Sequence, residues 1–154
     1  MKIKTAVVGL ILLGLVGLAT APSSRAVAAD GIKWYPYDEG MVRSKADGKK
    51  TFLNFFAEWC AYCRKMEVET FKDRSVVEYL NRNFIAIQVD SDKEGKLAAI
   101  YDVRGLPTSW FIEQTGERIS SLPGYVPADM LLKILKYIHT DSYKKMSFTQ
   151  FTQN

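Results

Sequence analysis

The chain holds two cysteines, spaced Cys60-Ala61-Tyr62-Cys63. Thiols this close can exchange with an external disulfide by closing one of their own. Their placement supports that use. The preceding run, Thr51 to Phe56 (TFLNFF), is short and apolar and reads as a buried strand, and helical spacing begins around Cys60. A helix N-terminus presents unpaired N–H groups and about half a positive charge. A thiolate there is stabilised, so its pKa falls from ~8.5 toward neutrality. Arg64 and Lys65 add positive charge nearby. Cys60, at the helix start, is expected to be the exposed nucleophile. Cys63, one turn inside, is expected to be the resolving thiol. Cys60 attacks a substrate disulfide to form a mixed disulfide; Cys63 then attacks Cys60 and frees the reduced substrate. The pair is left oxidised and needs a reducing partner.

Other uses of the pair remain open. A purely structural disulfide would close a very small loop and add little stability. A zinc site would need more ligands than one distant histidine, His139, supplies. Haem attachment needs a histidine directly after the second cysteine, where Arg64 stands. No metal and no cofactor is therefore expected.

The elements that must position the pair alternate in type. Trp34 to Gly40 starts irregularly. Asp38 to Ala46 suits a short helix, ended by the turn Asp47 to Lys50. After the strand at 51–56, helical spacing runs from Cys60 toward Phe71. A second helix follows Asp73, with Val76, Val77 and Leu80 as its apolar face. Phe84 to Val89 reads as another buried strand, and Leu97, Ile100 and Tyr101 mark a helix. Thr108 to Ile112 and Arg118 to Leu122 form a hairpin across the turn Gln114 to Glu117. Pro127 suits the first turn of a last helix carrying Leu131, Ile134, Leu135 and Ile138. The expected fold is α/β: a mixed central sheet, parallel at its crossovers and antiparallel at its hairpin, with helices on both faces. The tail, 140–154, is polar with a few aromatics; docking and looseness are both open.

The first thirty residues read as an address. Two lysines precede the uncharged run Ala6 to Ala19, which is shorter than the ~20 residues of a spanning helix. Small residues follow, with Ala26-Val27-Ala28 matching a cleavage pattern. Residues 1–28 are expected to be a signal peptide, and the product to be periplasmic or secreted, in an oxidising compartment. Membrane attachment is expected only if the signal stays uncleaved. The net charge of +4 comes mostly from Lys2, Lys4 and Arg25; without them 18 basic residues face 17 acidic ones. Near-neutrality gives no support for nucleic-acid binding.

The block Phe55-Phe56-Ala57-Glu58-Trp59-Cys60-Ala61-Tyr62-Cys63, followed by Gly105-Leu106-Pro107-Thr108, resembles the thioredoxin-like family. The resemblance covers roughly 32–138, within a domain expected over 30–139. The stretch Glu67 to Val76 is most similar to the C-terminal periplasmic domain of the DsbD membrane thiol reductants and to related small secreted proteins. The resemblance implies a thioredoxin-like fold and a redox-active disulfide, Cys60–Cys63. It implies a cis Pro107 beside the cysteines, substrate pairing to the Leu106 backbone, Trp59 as an apolar wall, and Gly124 leaving room for the substrate chain. It further implies a protein disulfide reductase, with protein disulfides or dithiols as substrates and an upstream membrane thiol reductant as electron donor. A weak dithiol oxidase and a non-catalytic peptide-binding module are the alternatives. Trp59 as a plain core aromatic also stays open. Two positions depart from the family. Asn54 stands where thioredoxins place a buried acid, and Ala86 where that acid often has a lysine partner. Water or Glu58 is left to take the proton of Cys63, unless Glu58 is only a solvated surface acid. Slower resolution is expected.

Overall fold

The computed structural model describes residues 31–153; the expected signal peptide lies outside them. A two-residue strand β1 (Trp34–Tyr35) precedes helix α1 (Tyr37–Asp47) and strand β2 (Lys50–Phe56). Helices α2 (Ala61–Glu69) and α3 (Arg74–Asn83) lead to β3 (Phe84–Asp90). Helix α4 (Gly95–Ile100), the hairpin β4 (Thr108–Ile112) and β5 (Arg118–Pro123), and α5 (Ala128–His139) follow.

The five strands form one sheet in the order β1-β3-β2-β4-β5. β3 is parallel to β1 and β2, while β4 is antiparallel to both β2 and β5. The mixed sheet is the one expected from the crossovers and the hairpin. Alternation along the strands splits the core in two. Phe52, Phe84 and Phe111 face α2, α3 and α5, among Met66, Val76, Leu80, Leu131 and Leu135. Leu53, Phe55, Ile87, Val89 and Ile112 face α1 and α4. Each large side chain buried this way contributes ~1.5–3 kcal/mol. On the second face α1 comes so near β3 that a Cβ on Gly40 would collide with Ile87.

The strand and helix assignments hold, with small shifts at their ends. Asp73 caps α3 by accepting bonds from the Ser75 and Val76 amides, worth ~1 kcal/mol. Pro127 sits at the cap of α5, just before its first turn. The structure adds one strand and decides between the two open readings of the tail. The irregular start contains β1, whose residues pair with Ala86 and Ile87. The tail is docked: a 3-10 turn (Ser142–Lys144) and helix α6 (Phe148–Gln153) return along α5, where Phe148 and Phe151 pack against Tyr137.

Candidate active site

The pair sits at the C-terminal edge of β2, where the chain turns into α2. Cys60 is the N-cap of that helix and Cys63 lies in its first turn. Their Cα atoms are 5.2 Å apart and the sulfurs form a disulfide. The Cys63 amide N–H donates to Cys60 Sγ at 3.1 Å, so one of the free helix amides points at that sulfur. A negative charge on Cys60 is the charge this geometry favours. The structure holds the pair oxidised, and here Cys60 is not the exposed group expected of a nucleophile. It is 5% exposed and Cys63 7%. Ala57, Phe56 and Leu106 pack around the two.

Leu106 belongs to the loop before β4. The Leu106–Pro107 bond is cis, as the resemblance implies. Among the described residues, neither the N–H nor the C=O of Leu106 has a hydrogen-bond partner, leaving this short backbone edge open. The Pro107 carbonyl accepts from the Gly124 amide at 2.7 Å. Gly124 adopts a φ of 89°, which is the reason for a glycine there, and a Cβ on it would meet open space.

Trp59 is no core aromatic: 68% of it is exposed. Its Nε1–H donates to Asp92 Oδ2 at 2.9 Å. Asp92 lies in the turn after β3, where Lys93 bridges Asp90 at 2.8 Å and Glu58 at 3.8 Å. The Lys93 ammonium holds the Asp90 carboxyl below its ordinary range. Glu58 is thus a solvated surface acid. Tyr62, between the cysteines, is also exposed.

Behind the disulfide lies a cavity of about 310 Å³. Its walls are mostly apolar, from Phe56, Ala57, Met66, Phe71 and Pro107, and Cys63 lines it. Asn54 and Gln88 add two amides; they are directly opposed in the β2–β3 register. Asn54 is buried, and its Nδ2 donates to Ser109 Oγ at 3.1 Å. Ala86 is buried and brings no charge. The register sets Ala86 opposite Phe52, so the residue facing Asn54 on β3 is Gln88 and not Ala86; neither amide is an acid or a cation. Gln88 was not singled out in the sequence, though it is the polar break in the run FIAIQV. Asp92 left no such signal.

A strand-to-helix turn that delivers two sulfurs to a helix N-terminus, flanked by a cis-proline loop, defines the thioredoxin class of oxidoreductases. The comparisons agree. A family model described as "Thioredoxin-like domain" matches residues 37–139. A thiol:disulfide interchange protein DsbD of Actinobacillus pleuropneumoniae is 31% identical over 99 residues, covering 60% of this chain and 17% of that protein. The chloroplastic thioredoxin-like protein HCF164 of Oryza sativa subsp. japonica is 29% identical over 98 residues, covering 63% and 35%. The solved thioredoxin of Thermus thermophilus superposes with a TM-score of 0.64 at 31% identity, covering 70% of this chain and 86% of that one. The chain belongs to the thioredoxin-like family, as an oxidoreductase with a Cys-x-x-Cys pair. It spans less than a fifth of that DsbD and about a third of that HCF164.

Proposed function

We propose that the protein is a secreted or periplasmic disulfide reductase acting on protein substrates. The observation that carries this reading is the Cys63 amide aimed at Cys60 Sγ at the cap of α2. It favours Cys60 as the thiolate that attacks and Cys63 as the thiol that resolves. The open backbone edge at Leu106 suits a substrate segment added as a short strand. Trp59, Pro107 and Gly124 would border that segment, with the indole N–H bonded to Asp92. The direction is argued from Ala61-Tyr62: no histidine stands between the cysteines to stabilise the reduced form, as in strong oxidants. Export is argued from the uncharged run Ala6 to Ala19 and the small residues after it. In that compartment re-reduction falls to a membrane thiol reductant, a role in keeping with the interchange function in the name of the DsbD relative.

Insulin reduction driven by dithiothreitol tests the activity. The wild-type protein should accelerate it, and Cys60→Ser should abolish the acceleration. Equilibration against glutathione tests the direction. A potential nearer the ~−270 mV of reducing members than the ~−120 mV of strong oxidants is expected. A second reading, a peptide-binding module with an inert disulfide, draws on the buried sulfurs and on Asn54. It requires insulin turnover no faster than with dithiothreitol alone.

A further inference from the structure

The cavity behind the disulfide is lined by Cys63 and not by Cys60. Under the proposed function, protein substrates meet the pair at Leu106 and Trp59, neither of which lines this cavity. Cys63 thus borders a second space beside the pair, and the size of that space sets what can use it. About 310 Å³ is at the lower end of small-molecule sites, too small for a folded chain.

The lining names the chemistry. The walls are apolar, with the Asn54 and Gln88 amides among them. Arg64 and Glu67 also line the cavity; both are exposed, and being three apart on α2 they are neighbours on its surface. Arg64 uses one guanidinium N–H on the Glu58 carbonyl and meets no carboxylate among the described residues. The Glu67 carboxylate has no hydrogen-bond or ion-pair partner among them. Glu58 also lines the cavity, but its carboxylate is engaged by Lys93 at 3.8 Å, which leaves Arg64 as the free cation and Glu67 as the free anion beside the apolar walls; together they complement the carboxylate and ammonium of an amino acid. We propose that this cavity admits a zwitterionic low-molecular-weight thiol or disulfide of the cysteine–cystine class, which exchanges directly with Cys63.

In the reducing direction the small thiolate attacks Cys63 Sγ. A new S–S bond forms, the Cys60–Cys63 bond breaks, and Cys60 leaves as a thiolate facing the Cys63 amide. A second small thiolate then attacks the bound molecule's sulfur. A free small disulfide departs, and Cys63 is released as a thiolate that takes a proton from water. Two electrons pass from two small thiols to the pair. The better-stabilised thiolate is the leaving group in the first step, which is the favourable order.

The inference rests on the pair being redox-active, and the test separates the two. Reduced Cys60→Ser protein is exposed to cystine and to bis(2-hydroxyethyl) disulfide, and labelling of Cys63 is timed by mass spectrometry. Serine is a good N-cap, so α2 keeps its start. Cystine should label Cys63 about tenfold faster than the uncharged disulfide, the scale of one charge-assisted contact. Arg64→Gln and Glu67→Gln should each erase most of that preference. Unlabelled Cys63, or equal rates with both reagents, overturns the proposal. The reading of the pair as redox-active then stands if Cys63→Ser protein is labelled at Cys60, and falls if it is not. Wild-type protein gives a second readout. Acid quenching during reduction by excess cysteine should trap the mixed disulfide on Cys63; trapping on Cys60 contradicts the proposal.

Discussion

Asn54 is buried in the wall of the same cavity as Cys63, and an amide cannot take up the proton of a thiol. Resolution of the mixed disulfide is then left to water or to Glu58, which lines the same cavity. Asn54→Asp should speed it by about a hundredfold, the lower end of general-base effects. The same change should lower stability by about 1–3 kcal/mol, because a carboxylate would replace a hydrogen-bonded amide in a buried place. Quenched thiol trapping reads the first effect and urea unfolding the second. The indole of Trp59 is a different case. Its bond to Asp92 is exposed, so Asp92→Ala should change stability by less than about 1 kcal/mol. A loosened wall should raise KM for insulin about two- to tenfold with kcat little changed. The cysteines, Asn54 and Pro107 were legible in the sequence because each stands in a local pattern. Asp92 was not, since its bond to Trp59 joins residues 33 apart across a turn. Nor was the burial of Cys60, which depends on Leu106 arriving from another loop.

Beside the aromatic packing on Tyr137, the tail is held by one carboxylate just after β4. Glu113 accepts a hydrogen bond from the Tyr143 hydroxyl, and Lys144 and Lys50 lie at 2.9 and 3.6 Å. Asp141 shares both lysines. Burial pulls the Glu113 pKa up, but Tyr143, Lys144 and Lys50 outweigh it and hold the carboxyl below its ordinary value. Asp141 is lowered by its bonds to Lys144 and Lys50. Tyr143 is pushed up to about 12, first by burial and then by Glu113. A carboxyl with a lowered folded pKa stabilises fully above its unfolded value, ~4.3 for glutamate, and loses that contribution as pH falls through the folded value. Docking of 140–153 should therefore weaken below about pH 4, seen as faster amide exchange in the tail alone. Tyr143→Phe should loosen the tail at neutral pH by ~1 kcal/mol on the same measurement. None of this was legible beforehand. The tail is polar and its partner Glu113 comes from a strand, so no periodicity announced the contact. β1 escaped for a similar reason: two residues are too short for alternation to show.

Across the whole molecule, the site is assembled from four separate segments, and the core keeps them in register. The cysteine helix is tied to the loop before α5 by Thr70 Oγ1, which donates to the Val126 carbonyl at 2.6 Å. Tyr125 in that loop donates to Glu69 at 2.6 Å, and Gly124 bonds to the cis-proline segment. Thr70→Val should leave a buried carbonyl unpaired and cost about 1–3 kcal/mol, measured by urea unfolding. The parallel crossovers, the hairpin and the two apolar faces were readable from alternation and helical spacing. The site was readable only in its local part, because the loops that complete it meet through the fold.

The central claim is that reduced Cys60 is held as a thiolate by the amides at the start of α2. It is tested most directly by the pH dependence of iodoacetamide alkylation at Cys60 in the reduced protein. Alkylation that rises to its plateau well below the ~8.5 of a free thiol is the expected result. A curve that follows the free thiol, or no alkylation at any pH, would contradict it.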